Sequence, residues 1–138
     1  MAAAQAVRAQ TSAVAASVDT RRELIYMSAT RLAELIRTRE VSAVEPVEAY
    51  IERQTEMNDR LNAVVMNSWT RARAEARALD ARLARRDLAG PLHGVPMTIK
   101  DSIDTEGVIS TGATYGRQQY VPEKDATVVA RLRAAGIP

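Results

Sequence analysis

The sequence contains no cysteine, no phenylalanine and only one histidine, His93. Without cysteine, disulfides, thiolate zinc sites and a cysteine nucleophile are excluded. With one histidine, a metal site built from several imidazoles is excluded as well. We therefore expect no metal and no cofactor, and a core made mainly of alanine, valine, leucine and isoleucine.

Neither charge sign dominates, and no long apolar run is present. The 138 residues include 19 basic and 17 acidic side chains, a net charge of +2, which is too balanced to predict a nucleic-acid partner. No apolar run reaches the roughly 18 residues that a membrane span needs. Gln5, Arg8 and Gln10 interrupt the Ala-rich start and argue against a secretory signal. We expect a cytoplasmic protein with a disordered leader at residues 1–27, a targeting peptide being the alternative.

Two helices are predicted after the leader. The first runs from Ser28, its N-cap, to Arg39, because apolar residues recur there at helical spacing. The second follows Ser42, which forms a capping-box pattern with Glu45. Pro46 removes a hydrogen bond early in this helix, so we expect a loose start.

The remainder alternates between strand and helix patterns. "NAVVMN" (residues 62–67) and "VPMTIK" (residues 95–100) predict short buried strands, and an amphipathic helix over residues 68–86 lies between them. The order strand, helix, strand favours a parallel sheet and hence an α/β protein. Asp125 is the predicted N-cap of a last helix, which ends with Gly136 at the position after its C-cap.

The outer face of the helix predicted over residues 68–86 is rich in arginine. It is the one feature of the sequence that suggests a non-enzymatic binding module, with RNA or another protein as the partner. Acidic residues alternate with the arginines, which favours a solvated face with local ion pairs. The arginines are Arg71, Arg73, Arg77, Arg82, Arg85 and Arg86, and the acidic residues are Glu75, Asp80 and Asp87.

Lys100 ends the second predicted strand and is followed at once by Asp101. A lysine of ordinary pKa, roughly 10.4, cannot accept a proton at neutral pH. An apolar wall around the amine would lower that pKa and make Lys100 a general base, as in Ser–Lys pairs. Contact with Asp101 would instead hold the ammonium form, although successive strand residues point to opposite faces. From spacing alone, a structural contact of Lys100 is the favoured interpretation.

Other polar residues nearby are weaker candidates. His93 lies in a Gly/Pro loop, where a backbone hydrogen bond is the expected role. Asp101, Asp104 and Glu106 lack the spacing of a calcium loop and are expected to be solvated. "STGATYG" (residues 110–116) lacks the lysine of a phosphate-binding loop and is either a pocket lining or a flexible loop.

The segment "GPLHGVPMTIKDSID" resembles the lysine-bearing segment of the amidase signature family, and "VPEKDATVVARLRAAG" is similar to the helix after it. With "SATRLAELIRTREVSAVEPVEAYIERQTEMNDRLNAVV", the resemblance covers residues 28–138. It implies an α/β fold with a large mixed sheet, of which this chain supplies the N-terminal helices and first strands. It also implies hydrolysis of small-molecule amides by a Ser–cis-Ser–Lys triad, with Lys100 as the base end of the relay.

Both serines of that triad lie in a later Gly/Ser-rich segment of the family, which residues 101–138 do not resemble. Ser102, Ser110 and Thr111 are therefore not assigned as the nucleophile. We expect an N-terminal fragment of an amidase that is inactive alone. A fragment of the A subunit of a tRNA-dependent amidotransferase is the alternative within the family.

Overall fold

Helices joined by long loops make up the described part of the chain. A computed structural model describes residues 21–138. The helices in it are α1 (residues 21–26), α2 (Ala29–Arg37), α3 (Val44–Leu61), α4 (Trp69–Ala84) and α5 (Thr127–Ala134), with a 3₁₀ helix at Tyr115–Arg117. Within residues 21–138, none of these helices is both long enough and apolar enough to cross a membrane.

Residues 21–26 are helical, although the sequence placed them in a disordered leader. Leu24 is only 3% exposed and belongs to a core cluster with Leu32 and Ile36 of α2. Burial of this leucine stabilises the helical turn that carries it. The leader prediction is therefore wrong for residues 21–26, and residues 1–20 lie outside the described residues.

The two predicted strands are not formed within residues 21–138. A strand needs a neighbour with which to form a backbone ladder, and residues 62–67 and 95–100 have none in the described chain. Residues 62–67 bond to a side chain instead, because the Asn58 amide donates to the Val64 carbonyl and accepts from its N–H at 2.9 and 2.8 Å. The α/β architecture is thus not present in residues 21–138, which are helical.

Helix α2 begins where the sequence predicts. The Ser28 hydroxyl accepts a hydrogen bond from the Arg31 N–H at 3.2 Å, as an N-cap does. Arg39 follows the helix with a φ of +63°, and its N–H donates to the Ile36 carbonyl. The Arg39 side chain reaches the last turn of α4 and donates to the Leu83 carbonyl at 2.6 Å. The ends of α2 and α4 are therefore joined.

Two features hold the start of α3. The predicted capping box is confirmed, because the Glu45 carboxylate accepts from the Ser42 N–H at 2.7 Å and the Ser42 hydroxyl accepts from the Glu45 N–H at 3.3 Å. A second cap comes from α4, where the Asp80 carboxylate accepts from the N–H groups of Ala43 and Val44 at 2.7 and 3.3 Å. Asp80 supplies acceptors for two N–H groups at the helix start, and the loose start expected from Pro46 is not observed.

Helix α4 confirms the helix predicted over residues 68–86, and it packs against α3. The two helices run antiparallel, since Glu48 meets Arg73 and Gln54 meets Trp69. The core between and around them forms two clusters of buried side chains. The first cluster contains Leu24, Leu32, Ile36, Ala49, Leu83 and Val95, and the second contains Ala43, Val47, Ile51, Ala76 and Leu79.

The loop over residues 90–94 is held against the end of α5. The N–H groups of Leu92 and Gly94 donate to the carbonyls of Ala135 and Gly136, both at 2.8 Å. The approach requires glycine, because a Cβ on Gly90 would lie 2.5 Å from the Ala135 oxygen. This contact fixes the point from which residues 95–100 run toward the candidate site.

Helix α5 ends as predicted but starts differently. Gly136 follows the C-cap with a φ of +99°, and its N–H donates to the Arg133 carbonyl at 2.9 Å. The prediction of Asp125 as N-cap is wrong, since the N-cap is Ala126 and no side chain caps it. The Asp125 carboxylate instead accepts from the Glu106 N–H at 2.8 Å and from the Arg133 guanidinium at 2.9 Å. It joins the loop before α5 to the last turn of that helix.

Candidate active site

A cleft of about 1260 Å³ opens beside the lysine segment. Its walls come from residues 63–69, 96–103 and 108–113, with side chains of α3, α4 and α5 behind them. The cleft thus lies where the two predicted strand segments and the loop after Lys100 come together.

Lys100 lies on the wall of this cleft. Residues 95–100 run without a bend, and a turn follows in which the Ile103 N–H donates to the Lys100 carbonyl at 2.9 Å. The Lys100 side chain is exposed within residues 21–138, so the apolar wall expected around its amine is not supplied by these residues. No carboxylate of the described chain forms an ion pair with it.

Asp101 contacts the following loop rather than Lys100. Its carboxylate accepts from the N–H and hydroxyl of Thr111 at 2.9 and 2.6 Å and from the N–H of Ala113 at 3.3 Å. The hydroxyl and N–H of Thr111 hold the pKa of the Asp101 carboxyl below its ordinary value of 3.8. The Lys–Asp salt bridge considered from the sequence is therefore absent from the described structure.

His93 is a structural residue. It is 2% exposed, and its ring lies between two backbone groups. Nδ1 accepts from the Ala89 N–H at 2.9 Å and Nε2 lies 3.1 Å from the Leu79 carbonyl. An N–H can only donate and a carbonyl can only accept, so the imidazole is neutral with its proton on Nε2. The backbone role expected from the sequence is confirmed.

Asp104 and Glu106, the other acidic residues of this loop, make separate contacts, Asp104 through its carboxylate and Glu106 through its backbone. Asp104 pairs with Arg117 at 2.6 Å, and the backbone carbonyl of Glu106 accepts from Arg71 at 2.7 Å. The described residues contain no group of three or more side chains suited to hold a metal ion. The acidic residues of this loop therefore hold it to itself and to α4.

The hydroxyls of the "STGATYG" loop are also engaged. Ser110 is 2% exposed, and its hydroxyl donates to the Val108 carbonyl at 3.1 Å. The Thr111 hydroxyl donates to the Asp101 carboxylate. Neither is presented as an activated nucleophile, which agrees with leaving both out of the catalytic assignment.

The arginine-rich face of α4 is paired with acids at three positions, and the pair of Arg71 with Glu75, at 3.8 Å, is the longest of them. Arg73 donates to both oxygens of Glu48 at 2.8 Å each, and this hydrogen bonding lowers the pKa of Glu48. Arg82 donates to both oxygens of Asp87 at 2.7 and 2.9 Å. The local ion pairs favoured from the sequence are confirmed for Arg71 and Arg82, whereas the partner of Arg73 lies on α3. Within residues 21–138, Arg77, Arg85 and Arg86 form no ion pair.

Arg133 is a residue that sequence reasoning missed. Its side chain is 29% exposed and pairs with Glu75 of α4 at 3.0 Å and with Asp125 at 2.9 Å. It fastens α5 to α4 at the back of the cleft. The signal was not available in the sequence, because its partners lie 8 and 58 positions away.

A family model described as Amidase matches residues 45–138 of this chain. The A subunit of the glutamyl-tRNA(Gln) amidotransferase of Moorella thermoacetica is 42% identical over 114 residues, 83% of this chain and 23% of that protein. The indoleacetamide hydrolase of Bradyrhizobium diazoefficiens is 41% identical over 109 residues, 79% of this chain and 21% of that protein.

Among solved structures, a bacterial aryl acylamidase of the amidase signature enzymes superposes with a TM-score of 0.74 at 28% identity. The match covers 81% of this chain and 24% of that one. The chain therefore spans about a quarter of the length of the relatives it matches.

Proposed function

This chain belongs to the Amidase family, and on that premise we propose that it supplies the lysine end of an amide-hydrolysing site, with Lys100 as the proton acceptor. The substrate is a small carboxylic amide, and the products are an acid and ammonia or an amine. Residues 28–138 form the N-terminal part of the amidase signature domain in this proposal.

One observation carries the proposal. Lys100 lies on the wall of the cleft, and the carboxylate next to it in sequence is held by Thr111 and Ala113 instead. A carboxylate in contact would favour the charged amine and oppose proton acceptance. Because Asp101 is engaged elsewhere, that obstacle is absent among residues 21–138.

The proposed chemistry follows the resemblance stated for the lysine segment. The Lys100 amine accepts a proton from a serine hydroxyl, which in turn takes the proton of the nucleophilic serine. The nucleophile forms an acyl-enzyme with the amide carbonyl, and the amine leaves with a proton. Water then hydrolyses the acyl-enzyme. Both serines belong to the three quarters of the relatives' length that this chain does not span.

In this proposal, the part of the domain that this chain does not span also completes the surroundings of Lys100. Residues 95–100 and 65–67 have backbone groups without ladder partners in the described chain, and apolar side chains beside them are exposed, including Val65 at 54% and Met97 at 41%. Strands of the remaining domain that pair with these segments would bury both, and the Lys100 amine would then lose its solvent. That burial lowers the pKa of a lysine and prepares it to accept a proton.

A chimaeric enzyme tests the proposal. The segment of the Bradyrhizobium indoleacetamide hydrolase that this chain matches is replaced by residues 28–138, and ammonia release from indoleacetamide is measured. We expect Lys100→Ala to lower the rate by roughly 10²–10⁴-fold, the usual contribution of a general base. Lys124→Ala is the matched control, because Lys124 is the only other lysine of the chain and is also exposed.

The outcomes are distinct. An active chimaera that keeps its rate after Lys100→Ala contradicts the proposal. The 138-residue chain by itself is expected to release no ammonia from simple amides. If the purified chain were active and Lys100→Ala abolished that activity, the view that other residues complete the site would be wrong.

A second candidate lies within the family. The 42% identity to the A subunit of a glutamyl-tRNA(Gln) amidotransferase supports a role for this segment in a tRNA-dependent amidotransferase. That role requires partner proteins, so co-purification with them and dependence of glutaminase activity on charged tRNA would favour it over a stand-alone amidase.

The non-enzymatic alternative uses the outer face of α4. Arg77 of α4 and the two arginines directly after this helix, Arg85 and Arg86, are not paired with acids in the described chain. Salt-dependent RNA binding that is lost on replacing Arg77, Arg85 and Arg86 with alanine would favour this alternative.

A cytoplasmic location is part of the amidase proposal.

A further inference from the structure

We propose that Asp101 is a positioning residue, which fixes the backbone that carries Lys100 by seating its carboxylate among the N–H groups of residues 111–113. The consequence of this positioning for catalysis rests on the proposed function of Lys100. The positioning itself concerns contacts within the described chain.

The backbone of residues 111–113, which binds the carboxylate, has an unusual conformation. Gly112 and Ala113 both have a φ of +57°, so two consecutive residues adopt the left-handed conformation. With this conformation, the N–H groups of Thr111 and Ala113 reach the same carboxylate at 2.9 and 3.3 Å. Successive N–H groups that converge in this way form an anion-binding concavity, and here the anion is the Asp101 side chain.

A hydroxyl group is the third hydrogen-bond donor to the carboxylate. The Thr111 hydroxyl donates to the Asp101 carboxylate at 2.6 Å and accepts from the Ala113 N–H at 3.1 Å. Charge-assisted hydrogen bonds of this length are stronger than neutral ones. The three donors therefore hold the carboxylate in one orientation.

The loop that contains residues 111–113 is itself held by backbone hydrogen bonds on both sides. The Gly107 N–H donates to the Pro122 carbonyl and the Ser110 N–H to the Tyr120 carbonyl, each at 3.0 Å. Asp101 thus binds to a loop that is anchored independently, and the restraint acts on the Asp101 backbone.

That restraint reaches Lys100 through one peptide bond. The turn that follows Lys100 is closed by the Ile103 N–H, which donates to the Lys100 carbonyl at 2.9 Å. Asp101 is the second residue of this turn, so holding its side chain also holds the turn. The same contact engages the Asp101 oxygens and keeps them from drawing the Lys100 ammonium toward them.

Amide hydrogen exchange in the complete 138-residue chain tests the inference, with Asp101→Asn as the variant. Asparagine keeps the shape but loses the charge, and its NH₂ group cannot accept from the loop. We expect the Thr111 and Ala113 amides to exchange roughly tenfold faster or more in the variant. We expect the Ile103 amide to lose protection as well, because the turn after Lys100 is no longer held.

A spectroscopic readout separates positioning by the charge from a general loss of structure. In the unaltered chain, the Thr111 amide proton shift is expected to titrate with Asp101, at a midpoint below its ordinary value of 3.8. This titration should vanish in Asp101→Asn. The titration in the unaltered chain is measured without the variant, so its absence there would overturn the inference even if the variant folds poorly.

Asp104→Asn is the matched control. Asp104 lies in the same loop and pairs with Arg117, and its carboxylate forms no hydrogen bond with residues 111–113. We expect it to leave the exchange of Thr111, Ala113 and Ile103 unchanged. Loss of protection at Ile103 in both variants, or unchanged protection there in Asp101→Asn, would overturn the inference.

The result is independent of the chimaera experiment. If Asp101→Asn releases the turn while Lys100→Ala leaves an active chimaera unaffected, the positioning stands and the proposed catalytic role of Lys100 fails. If the turn is unaffected while Lys100→Ala abolishes activity, the reverse holds.

Discussion

The Asp80 carboxylate, on α4, accepts a hydrogen bond of 2.7 Å from the backbone N–H of Ala43, directly before α3. One helix thereby caps the start of the other. The capping box formed by Ser42 and Glu45 acts at the same helix end, so three side chains accept hydrogen bonds from N–H groups there.

Replacement of Asp80 is expected to destabilise the chain. Asp80→Ala leaves the N–H groups of Ala43 and Val44 without their acceptor, and loss of a cap costs about 1–2 kcal/mol. Urea denaturation measures the change in the free energy of unfolding. Asp59→Ala, at an exposed position near the end of α3, is the control and should change it by less than about 0.5 kcal/mol. Equal effects of the two variants would contradict the cross-helix cap.

Gly136 is expected not to tolerate alanine. Its φ of +99° disfavours any L side chain, and a Cβ there would lie 2.8 Å from the His93 Cα. We expect Gly136→Ala to lower the free energy of unfolding by about 2 kcal/mol or more. Gly116→Ala is the control, because a Cβ at Gly116 meets nothing within 4 Å. Thermal melts of the two variants compare them directly, and a similar melting temperature would refute the close packing of His93 on Gly136.

Replacement of Ala113 with glycine is expected not to lower the stability of the chain. Ala113 holds a φ of +57° in the loop that binds Asp101, a conformation that costs an L residue roughly 1 kcal/mol. Ala113→Gly should therefore raise the free energy of unfolding, or leave it unchanged where the added freedom of the unfolded chain offsets the gain. The same substitution in a helix, Ala78→Gly at an exposed position of α4, should lower it by about 1 kcal/mol. A clear loss of stability in Ala113→Gly, comparable to that of Ala78→Gly, would show that this backbone is not strained.

The Arg73–Glu48 pair predicts a small dependence of stability on pH. Hydrogen bonding from Arg73 lowers the pKa of Glu48 from its ordinary value of 4.5. A carboxyl with a lowered folded-state pKa stabilises the fold above its unfolded value, and this contribution disappears as the pH falls through the folded-state pKa. Both side chains are about one third exposed, so we expect no more than about 1 kcal/mol.

The measurement compares Glu48→Gln with the unaltered chain from pH 7 down to acid. The difference in the free energy of unfolding should be largest near neutral pH and should shrink below pH 4.5. A difference that stays constant over this range would mean that the charge of Glu48 does not contribute. Glu56→Gln, at an exposed position that faces Arg53 at 3.5 Å, serves as the matched control.

Sequence reasoning succeeded where the signal and its partner lie within one turn of chain. The Ser28 cap, the Ser42–Glu45 box and Gly136 after α5 were all predicted, because the hydrogen bond at the helix end in each case joins residues at most four positions apart. The backbone role of His93 was also predicted, from its Gly/Pro surroundings.

Sequence reasoning failed where contacts between residues distant in the chain determine the structure. The strand patterns at residues 62–67 and 95–100 require partners that residues 21–138 do not provide. Asp125 was assigned to a local cap, whereas it bonds to Glu106 and Arg133. The contact of Asp101 with Thr111 spans ten positions, and no local pattern identifies it. The role of Lys100 came from the family resemblance, because its own surroundings favoured a structural contact.

The side-chain amide of Asn58 replaces a neighbouring strand for Val64, through one donated and one accepted hydrogen bond. A change of Asn58 to aspartate would remove the donated hydrogen and place a negative oxygen against the Val64 carbonyl. The segment between α3 and α4 would then lose the contact that holds it to the end of α3.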